Sequence, residues 1–182
     1  MRQNCEIDFA ILYICTMKCV LPFVIATLLC LTSCLGEVLG EYAKTGRLMP
    51  AFEVTTSDGR QVNSASLVGM PCVIVFFNTH CTDCQEELPK LQAVYEKYKT
   101  NVRFVCISRS EGEDEIAPFW RSHALTMPYS AQTDKRVFNL FAATRIPRVY
   151  VTDKNGKVRK VFVEKVNKRK LNNAILSLCN EK

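Results

Sequence analysis

The sequence lacks the features that indicate nucleic-acid binding. Its 24 Lys and Arg residues outnumber its 18 Asp and Glu residues, but the resulting charge of +6 is modest and scattered. The one local cluster, Lys165 to Lys170, contains no aromatic residue, whereas a nucleic-acid surface needs a basic stripe with interleaved aromatic side chains. We interpret this cluster as the solvated start of a helix and predict no nucleic-acid partner.

Low-complexity tracts and internal repeats are also absent, and the cysteine pattern does not suit a small disulfide-stapled fold. A chain of 182 residues with 48% hydrophobic content is large enough to be stabilised by its core. Of its ten cysteines, only Cys81 and Cys84 have a spacing that implies chemistry. The others lie in the apolar N-terminal region, in two strand-like runs and near the C-terminus: Cys5, Cys15, Cys19, Cys30, Cys34, Cys72, Cys106 and Cys179.

The two spaced cysteines lie where a buried strand is predicted to give way to a helix. Cys72 to Phe77 is uniformly apolar, and the residues after Cys81 have helical spacing. One helical turn brings the two sulfurs close enough to bond, and the free N–H groups of a helix N-terminus stabilise a thiolate on Cys81. We predict a redox-active Cys81–Cys84 disulfide, with Cys81 as the nucleophile and Cys84 as the resolving thiol. A structural disulfide or two idle thiols are the alternatives.

Residues 1–33 are predicted to form a secretory signal segment. Met17-Lys18-Cys19 and the apolar stretch Val20 to Leu31 give a positive start followed by an apolar middle. Residues 1–16 place another apolar patch ahead of this complete signal, so we expect translation to begin at Met17. The tetrapeptide Leu31-Thr32-Ser33-Cys34 resembles the lipobox of bacterial lipoproteins. That resemblance implies that Cys34 is lipidated, becomes the new N-terminus and holds the chain to a membrane.

Two other interpretations of the N-terminal region remain open. An apolar helix over residues 9–35 would be long enough to cross a membrane, but Lys18 would then lie in its middle at considerable cost. A signal that is cleaved without lipidation is the second. Residues 34–47 are predicted to be a lipidated tether because they are polar and contain several glycines, which leaves residues 48–182 as the folded domain.

The remaining chain predicts an α/β fold. A strand, a helix and a strand over residues 72–107 imply parallel pairing with a right-handed crossover. The other predicted elements are a hairpin over 52–62, helices over 113–123 and 135–141, a hairpin over 148–163 with Asn155-Gly156 at its turn, and a closing helix over 168–178. Together they make a central mixed β-sheet flanked by helices, with an N-terminal β-hairpin extension.

Two motifs carry a family resemblance: Cys81-x-x-Cys84-x-x-Glu87-x-Pro89-x-Leu91, and Arg145-Ile146-Pro147 followed by Asp153-x-x-Gly156. Together they resemble the thioredoxin-like oxidoreductases of the TlpA/ResA type, over roughly residues 48–179, which is one domain. The resemblance implies a thioredoxin-like fold and an envelope-anchored protein disulfide oxidoreductase that faces the periplasm and reduces disulfides. It implies no cofactor. The implied partners are cysteine-containing envelope proteins and an upstream membrane dithiol donor.

The resemblance also implies roles for residues around the dithiol. Pro147 matches the family's cis-proline, which with Ile146 faces the dithiol and presents backbone groups to an extended substrate. Glu87 lies one helical turn beyond Cys84, so its carboxylate can approach that thiol, and the family's matching acid tunes and relays the proton of the second cysteine. The alternatives are an ordinary trans proline in an edge strand and an exposed acid in the first turns of a helix.

The sequence departs from the family pattern in three ways. His80 stands where these proteins usually carry Trp; it is a substrate-binding candidate, either as a surface residue or as a titrating neighbour that stabilises the Cys81 thiolate. Val75 replaces the buried acid of classical thioredoxins, so Glu87 would serve alone. Thr82-Asp83 replaces the familiar Gly-Pro. An acid between the cysteines should disfavour the thiolate, weaken the reduced form and favour action as a reductant.

Two other functions match parts of the same pattern. A peroxide-reducing relative on this fold would resemble Pro-x-x-x-Thr-x-x-Cys at its reactive cysteine, but Ile74 and Asn78 occupy those positions. A copper-binding envelope chaperone would use the two cysteines as soft ligands for Cu(I), with His80 and Met127 as extra ligands. The four ligands of a structural zinc site are not present, and we predict no metal at the site.

Overall fold

The computed structural model describes residues 41–181. Its elements are, in chain order, β1 Glu53–Thr55, β2 Gln61–Asn63, β3 Cys72–Phe77, α1 Thr82–Tyr98, β4 Arg103–Ser108, α2 Glu113–Ser122, β5 Tyr129–Ser130, α3 Arg136–Phe141, β6 Arg148–Thr152, β7 Val158–Val163 and α4 Lys168–Asn180. The antiparallel hairpin of β1 and β2 stands apart from the main sheet, as predicted for the N-terminal extension.

Strand β3 is the centre of a five-stranded sheet with the order β5-β4-β3-β6-β7. It pairs in parallel with β4 and antiparallel with β6, and β7 continues the sheet antiparallel to β6. All six residues of β3 are buried, because a central strand has both faces covered. The predicted mixed sheet and the parallel pairing across the first helix are confirmed.

The two longest helices each bury one apolar stripe. Helix α1 continues through Pro89 in its second turn, and its buried residues recur every three or four positions, which is the spacing of one helical face. The buried apolar residues are Leu88, Leu91, Val94 and Tyr98 of α1 and Leu171, Ile175 and Leu178 of α4. These faces are the ones predicted from the sequence, except that Tyr95 of α1 is only half-buried.

Strand β5 has no counterpart among the predicted elements. Its two residues pair with Cys106 and Ile107 of β4. Two residues carry no periodicity that would distinguish a strand from a loop. The strand forms because the edge of β4 offers unpaired backbone groups to the chain that returns from α2.

Residues 41–47, which the sequence assigns to the tether, pack on the folded domain. The N–H groups of Tyr42 and Ala43 both donate to the carbonyl of Phe141, at 2.9 and 3.0 Å, and Ala43 is buried. The folded domain therefore begins by residue 41 rather than at residue 48. The polar composition of this stretch conceals the packing, because much of its attachment is made by backbone groups.

The predicted signal segment, the start at Met17 and the lipidated Cys34 lie outside the described residues. Among the helices within residues 41–181, none combines the length and the apolar character that crossing a bilayer requires.

The aromatic cluster beneath β3 predicts the cost of a core truncation. Phe76 is fully buried against Phe138, Phe141 and Tyr150, with ring centroids 4.9 to 6.1 Å apart. Phe76→Ala should lower the free energy of unfolding by about 3–5 kcal/mol, because it removes apolar burial and leaves a cavity. Urea denaturation followed by circular dichroism measures the change. The control Leu140→Ala, at an exposed position of α3, should stay within about 0.5 kcal/mol; equal losses in the two variants would contradict the prediction.

Candidate active site

The dithiol lies at the carboxyl end of the central strand. Three residues connect Phe77 to Cys81, which is the N-cap of α1 and has an extended backbone with φ −86° and ψ 120°. Cys81 is half-buried, Cys84 is fully buried one turn into the helix, and both are free thiols. The structure thus places the predicted nucleophile as the more accessible sulfur of the pair. The disulfide form and the roles of the two thiols stay predictions.

Burial dominates the chemistry of Cys84. It raises the pKa of this thiol far above its ordinary value, against a backbone hydrogen bond at Asn78 that acts in the opposite direction. The neighbouring Cys81 and the negative charge of Glu111 raise the pKa further. Because the thiolate is the attacking form, Cys84 is inert until its proton is removed.

The proline loop faces Cys81. The Ile146-Pro147 peptide bond is cis, as predicted, and the Cys81 Sγ lies 3.7 Å from the carbonyl oxygen of Ile146. Arg145, directly before it, has a left-handed backbone with φ +64°. The Pro147 carbonyl accepts a hydrogen bond from the N–H of Glu164 at 2.8 Å, so the loop after β7 braces the proline loop.

Glu87 is buried on the same helix as Cys84, contrary to the alternative of an exposed acid. Its Oε1 accepts from Lys90 Nζ at 2.9 Å, and its Oε2 accepts from the N–H of Val166 at 3.3 Å. Both contacts satisfy a carboxylate that burial would otherwise destabilise. Its predicted role in relaying the proton of Cys84 stays a prediction.

A lysine neutralises the acid between the two cysteines. Lys165 Nζ lies 2.7 Å from a carboxylate oxygen of Asp83 and 2.8 Å from one of Glu86. Hydrogen bonds to these two acids raise the pKa of Lys165, so it stays charged. The sequence alone places an unopposed negative charge between the cysteines; the fold brings a cation to it from a position far along the chain.

Glu111 is a residue of this site that sequence reasoning missed. Its side chain is 2% exposed, and it lies in the loop after β4. It accepts three hydrogen bonds from the residues just before Cys81: from the Thr79 N–H at 2.7 Å, the Thr79 hydroxyl at 2.8 Å, and His80 Nδ1 at 2.7 Å. The carboxyl ends of the parallel strands β3 and β4 meet at one edge of the sheet, and that pairing was the signal that could have found it.

Potential metal ligands are also close together here. Ligand atoms of His80, Glu111 and Glu115 lie within 4.8 Å of one another. Both oxygens of Glu111 already accept hydrogen bonds, which favours hydrogen bonding over metal coordination. Met127, the other residue predicted as an extra copper ligand, is buried with its Sδ 3.9 Å from the Cys106 Sγ of β4.

Family comparison identifies what kind of protein carries this site. The model of the AhpC/TSA family matches residues 45–161, which is more than half of the chain. The chain belongs to the AhpC/TSA family. Its relatives include proteins named thiol-disulfide oxidoreductase ResA. One from Bacillus cereus is 25% identical over 132 residues, which are 72% of this chain and 76% of that protein. The one from Bacillus subtilis is 25% identical over 122 residues, 66% of this chain and 68% of that protein.

Solved structures of this family's fold include good matches to the described domain. A putative protein disulfide isomerase from Bacteroides thetaiotaomicron has a TM-score of 0.72 at 25% identity, over 79% of this chain and 94% of that chain. A thio-disulfide isomerase from Thermus thermophilus has a TM-score of 0.63 at 28% identity, over 76% and 99% of the two chains. The predicted thioredoxin-like fold and the resemblance to the TlpA/ResA type are confirmed.

The burial of the thiols predicts which of them react. In the reduced, folded protein, iodoacetamide should modify Cys81 well before Cys84, Cys72 and Cys106. Burial raises the pKa of Cys72 to about 12 and raises the pKa of the other two as well, so none of the three offers a thiolate. Peptide mass spectrometry after timed labelling measures the order. Unfolding in urea is the control, in which all four thiols should react, and equal labelling of Cys81 and Cys84 in the folded protein would contradict the prediction.

Proposed function

We propose that the chain is a membrane-anchored reductant of disulfides in proteins of the bacterial cell envelope. The activity class follows from its family and its relatives: the chain is a thiol-disulfide oxidoreductase, an enzyme that acts on cysteine-containing proteins. The anchor, the envelope location and the direction of electron flow are the proposed part.

The observation that carries the proposal is the asymmetry of the dithiol. Cys81 is accessible at the helix N-terminus beside the Ile146 carbonyl, whereas Cys84 is buried with its thiol proton retained. The Cys81 thiolate attacks a substrate disulfide, forms a mixed disulfide and releases one substrate thiolate. Cys84 then loses its proton and attacks Cys81 Sγ, which releases the second substrate thiolate and leaves the Cys81–Cys84 disulfide. The substrate gains two electrons and two protons, and a membrane dithiol donor restores the protein.

Substrate recognition is proposed for the surface around Cys81. Ile146 and Pro147 are braced by the loop after β7, and the imidazole of His80 is 72% exposed beside Cys81. A rigid backbone edge next to the nucleophile suits an extended segment of substrate, because main-chain groups bind such a segment regardless of its side chains.

The direction of electron flow depends on the charges near Cys81. Asp83 disfavours a thiolate and therefore the reduced form, which favours action as a reductant. Lys165 offsets part of that effect through its ion pairs with Asp83 and Glu86, so the reduction potential depends on both the acid and the lysine.

The proposed anchor is supported by the sequence around Leu31-Thr32-Ser33-Cys34, with its signal-like layout.

Substrate trapping tests the mechanism. Cys84→Ser should accumulate mixed disulfides through Cys81, because the thiol that resolves them is gone. Non-reducing gels of envelope extracts, followed by mass spectrometry of the trapped partners, measure this. The control Cys81→Ser should accumulate none, and traps formed equally by both variants would contradict the assignment.

The same extracts test the anchor. In the Cys84→Ser background the trapped complexes should sediment with membranes, and adding Cys34→Ser should move them to the soluble fraction. Retention of the Cys34→Ser protein in the membrane would favour a transmembrane helix over a lipid.

The reduction potential tests the charge balance around Asp83. Lys165→Met removes the cation from Asp83 and should make the potential more negative by roughly 10–20 mV. Equilibration with glutathione redox buffers measures the potential, and Lys168→Met is the matched control, an exposed lysine of the same charge at the start of α4. A wild-type potential of about −120 mV, that of strong periplasmic oxidants, would overturn the proposal that the protein acts as a reductant.

A further inference from the structure

Glu111 raises the pKa of Cys84 through its charge, but it takes part in no step of the proposed exchange. This carboxylate is buried at the edge of the site, comes from the loop after β4, and accepts hydrogen bonds only from Thr79 and His80 among the described residues. Burying a carboxylate is costly unless its hydrogen bonds compensate. Within residues 41–181, the site therefore uses three hydrogen bonds to hold an acid that is hydrogen-bonded to neither cysteine.

Those bonds fix the segment that leads into Cys81. The Thr79 N–H and hydroxyl are held by Glu111, and the Thr79 carbonyl accepts from Gln85 Nε2 at 2.8 Å. The His80 N–H donates to Asn78 Oδ1 at 3.0 Å. The backbone on both sides of His80 is thus held in place, and its ring is tied down at one nitrogen although most of the side chain is exposed.

The bond to the ring also selects one form of the imidazole. An ionised carboxylate can only accept hydrogen bonds, so the neutral ring that binds it through Nδ1 must carry its proton on Nδ1. Nε2 is then left with its lone pair. An acid that orients a histidine by this contact determines which nitrogen exchanges protons.

We propose that Glu111 is a positioning residue that holds His80 as the Nδ1–H tautomer, so that Nε2 carries protons to and from the sulfurs that react at Cys81. The proposal rests on the proposed function, because it assigns the proton path of that exchange.

The proton balance is simple. The Nε2 atom takes the proton of the Cys81 thiol, directly in the substrate complex or through one water molecule, and the resulting imidazolium is stabilised by Glu111. The Cys81 thiolate attacks the substrate disulfide, the mixed disulfide forms, and the sulfur–sulfur bond of the substrate breaks. Nε2 then gives its proton to the departing substrate thiolate, and His80 returns to its starting form.

A purely structural role for Glu111, as an anchor for the loop, is the competing explanation. The proton-transfer role and the structural role predict different dependences of the disulfide-exchange rate on the leaving thiolate. An aromatic thiolate of low pKa departs without a proton, whereas an alkyl thiolate departs faster when it is protonated. Loss of proton transfer therefore slows an alkyl disulfide more than an aromatic one, and loss of loop structure slows both equally.

The kinetic test uses the reduced full chain with two probes, cystamine and an aromatic nitrobenzoate disulfide. In Glu111→Gln and in His80→Gln, the ratio of the alkyl to the aromatic rate constant should fall about tenfold, with no further fall in the double variant. The matched control Glu115→Gln removes a negative charge from the same cluster and should leave the ratio unchanged. An unchanged ratio in His80→Gln, or an equal fall in Glu115→Gln, would overturn the proposal. His80 is exposed, so its variant decides the question even if Glu111→Gln does not fold.

The ring itself provides a second, independent readout. Long-range ¹H–¹⁵N spectra of the reduced protein at alkaline pH should show His80 with its proton on Nδ1, and on Nε2 in Glu111→Gln, because the amide can donate to the ring. The other histidine, His123, contacts the Phe119 carbonyl and the Ser122 hydroxyl through Nδ1, at 2.9 and 3.0 Å. Neither contact involves Glu111, so the His123 tautomer should be the same in both proteins and is the internal reference. A His80 tautomer that is the same in both proteins would overturn the proposal. If instead the wild type were inert to both probes, or Cys81→Ser were as active, the proposed function would fail while the spectra still tested the Glu111–His80 contact.

Discussion

The site depends on the abrupt end of a fully buried strand. β3 has neighbours on both sides and cover on both faces, so its position and direction are fixed by the core. The chain leaves that strand at Phe77 and enters a helix within five residues, at Thr82. Cys81 therefore lies at a helix N-terminus whose position is set by the buried central strand. Cys84, one turn into the helix, faces the core and is buried. One accessible and one buried sulfur follow from that geometry.

Charged groups and a backbone donor from distant parts of the chain surround this pair. Lys165 reaches Asp83 on the exposed side, Val166 satisfies the buried Glu87, and Glu111 holds Thr79 and His80 before the first cysteine. Each contact joins the loop after β4 or the loop after β7 to the first turns of α1 or to the residues just before it. The reactivity of the dithiol thus depends on these two loops as well as on the four residues of its motif.

Family membership and site geometry answer different questions. The AhpC/TSA family model and the ResA relatives establish thiol-disulfide chemistry on a thioredoxin-like fold. They leave open which residues tune the reactivity of the cysteines in this chain. Here His80 stands at the position of the Trp of the TlpA/ResA pattern, and an acid, Asp83, lies between the cysteines. The structure gives those two residues partners, Glu111 and Lys165, and so connects the departures from the family pattern to specific proton and charge effects.

The sequence by itself determined the local features: the apolar run of β3, the helical stripe of α1, the Asn-Gly hairpin, the Cys81–Cys84 spacing and the proline after Ile146. Periodicity and residue type suffice for these because their causes lie within a few neighbouring residues. The tertiary structure alone decided that β5 forms on the edge of β4, that residues 41–47 pack on the domain, that Lys165 pairs with Asp83, and that Glu111 holds His80. Those outcomes depend on which strand ends and loops the sheet brings together, and contacts between residues far apart in the chain leave no period or motif in one sequence.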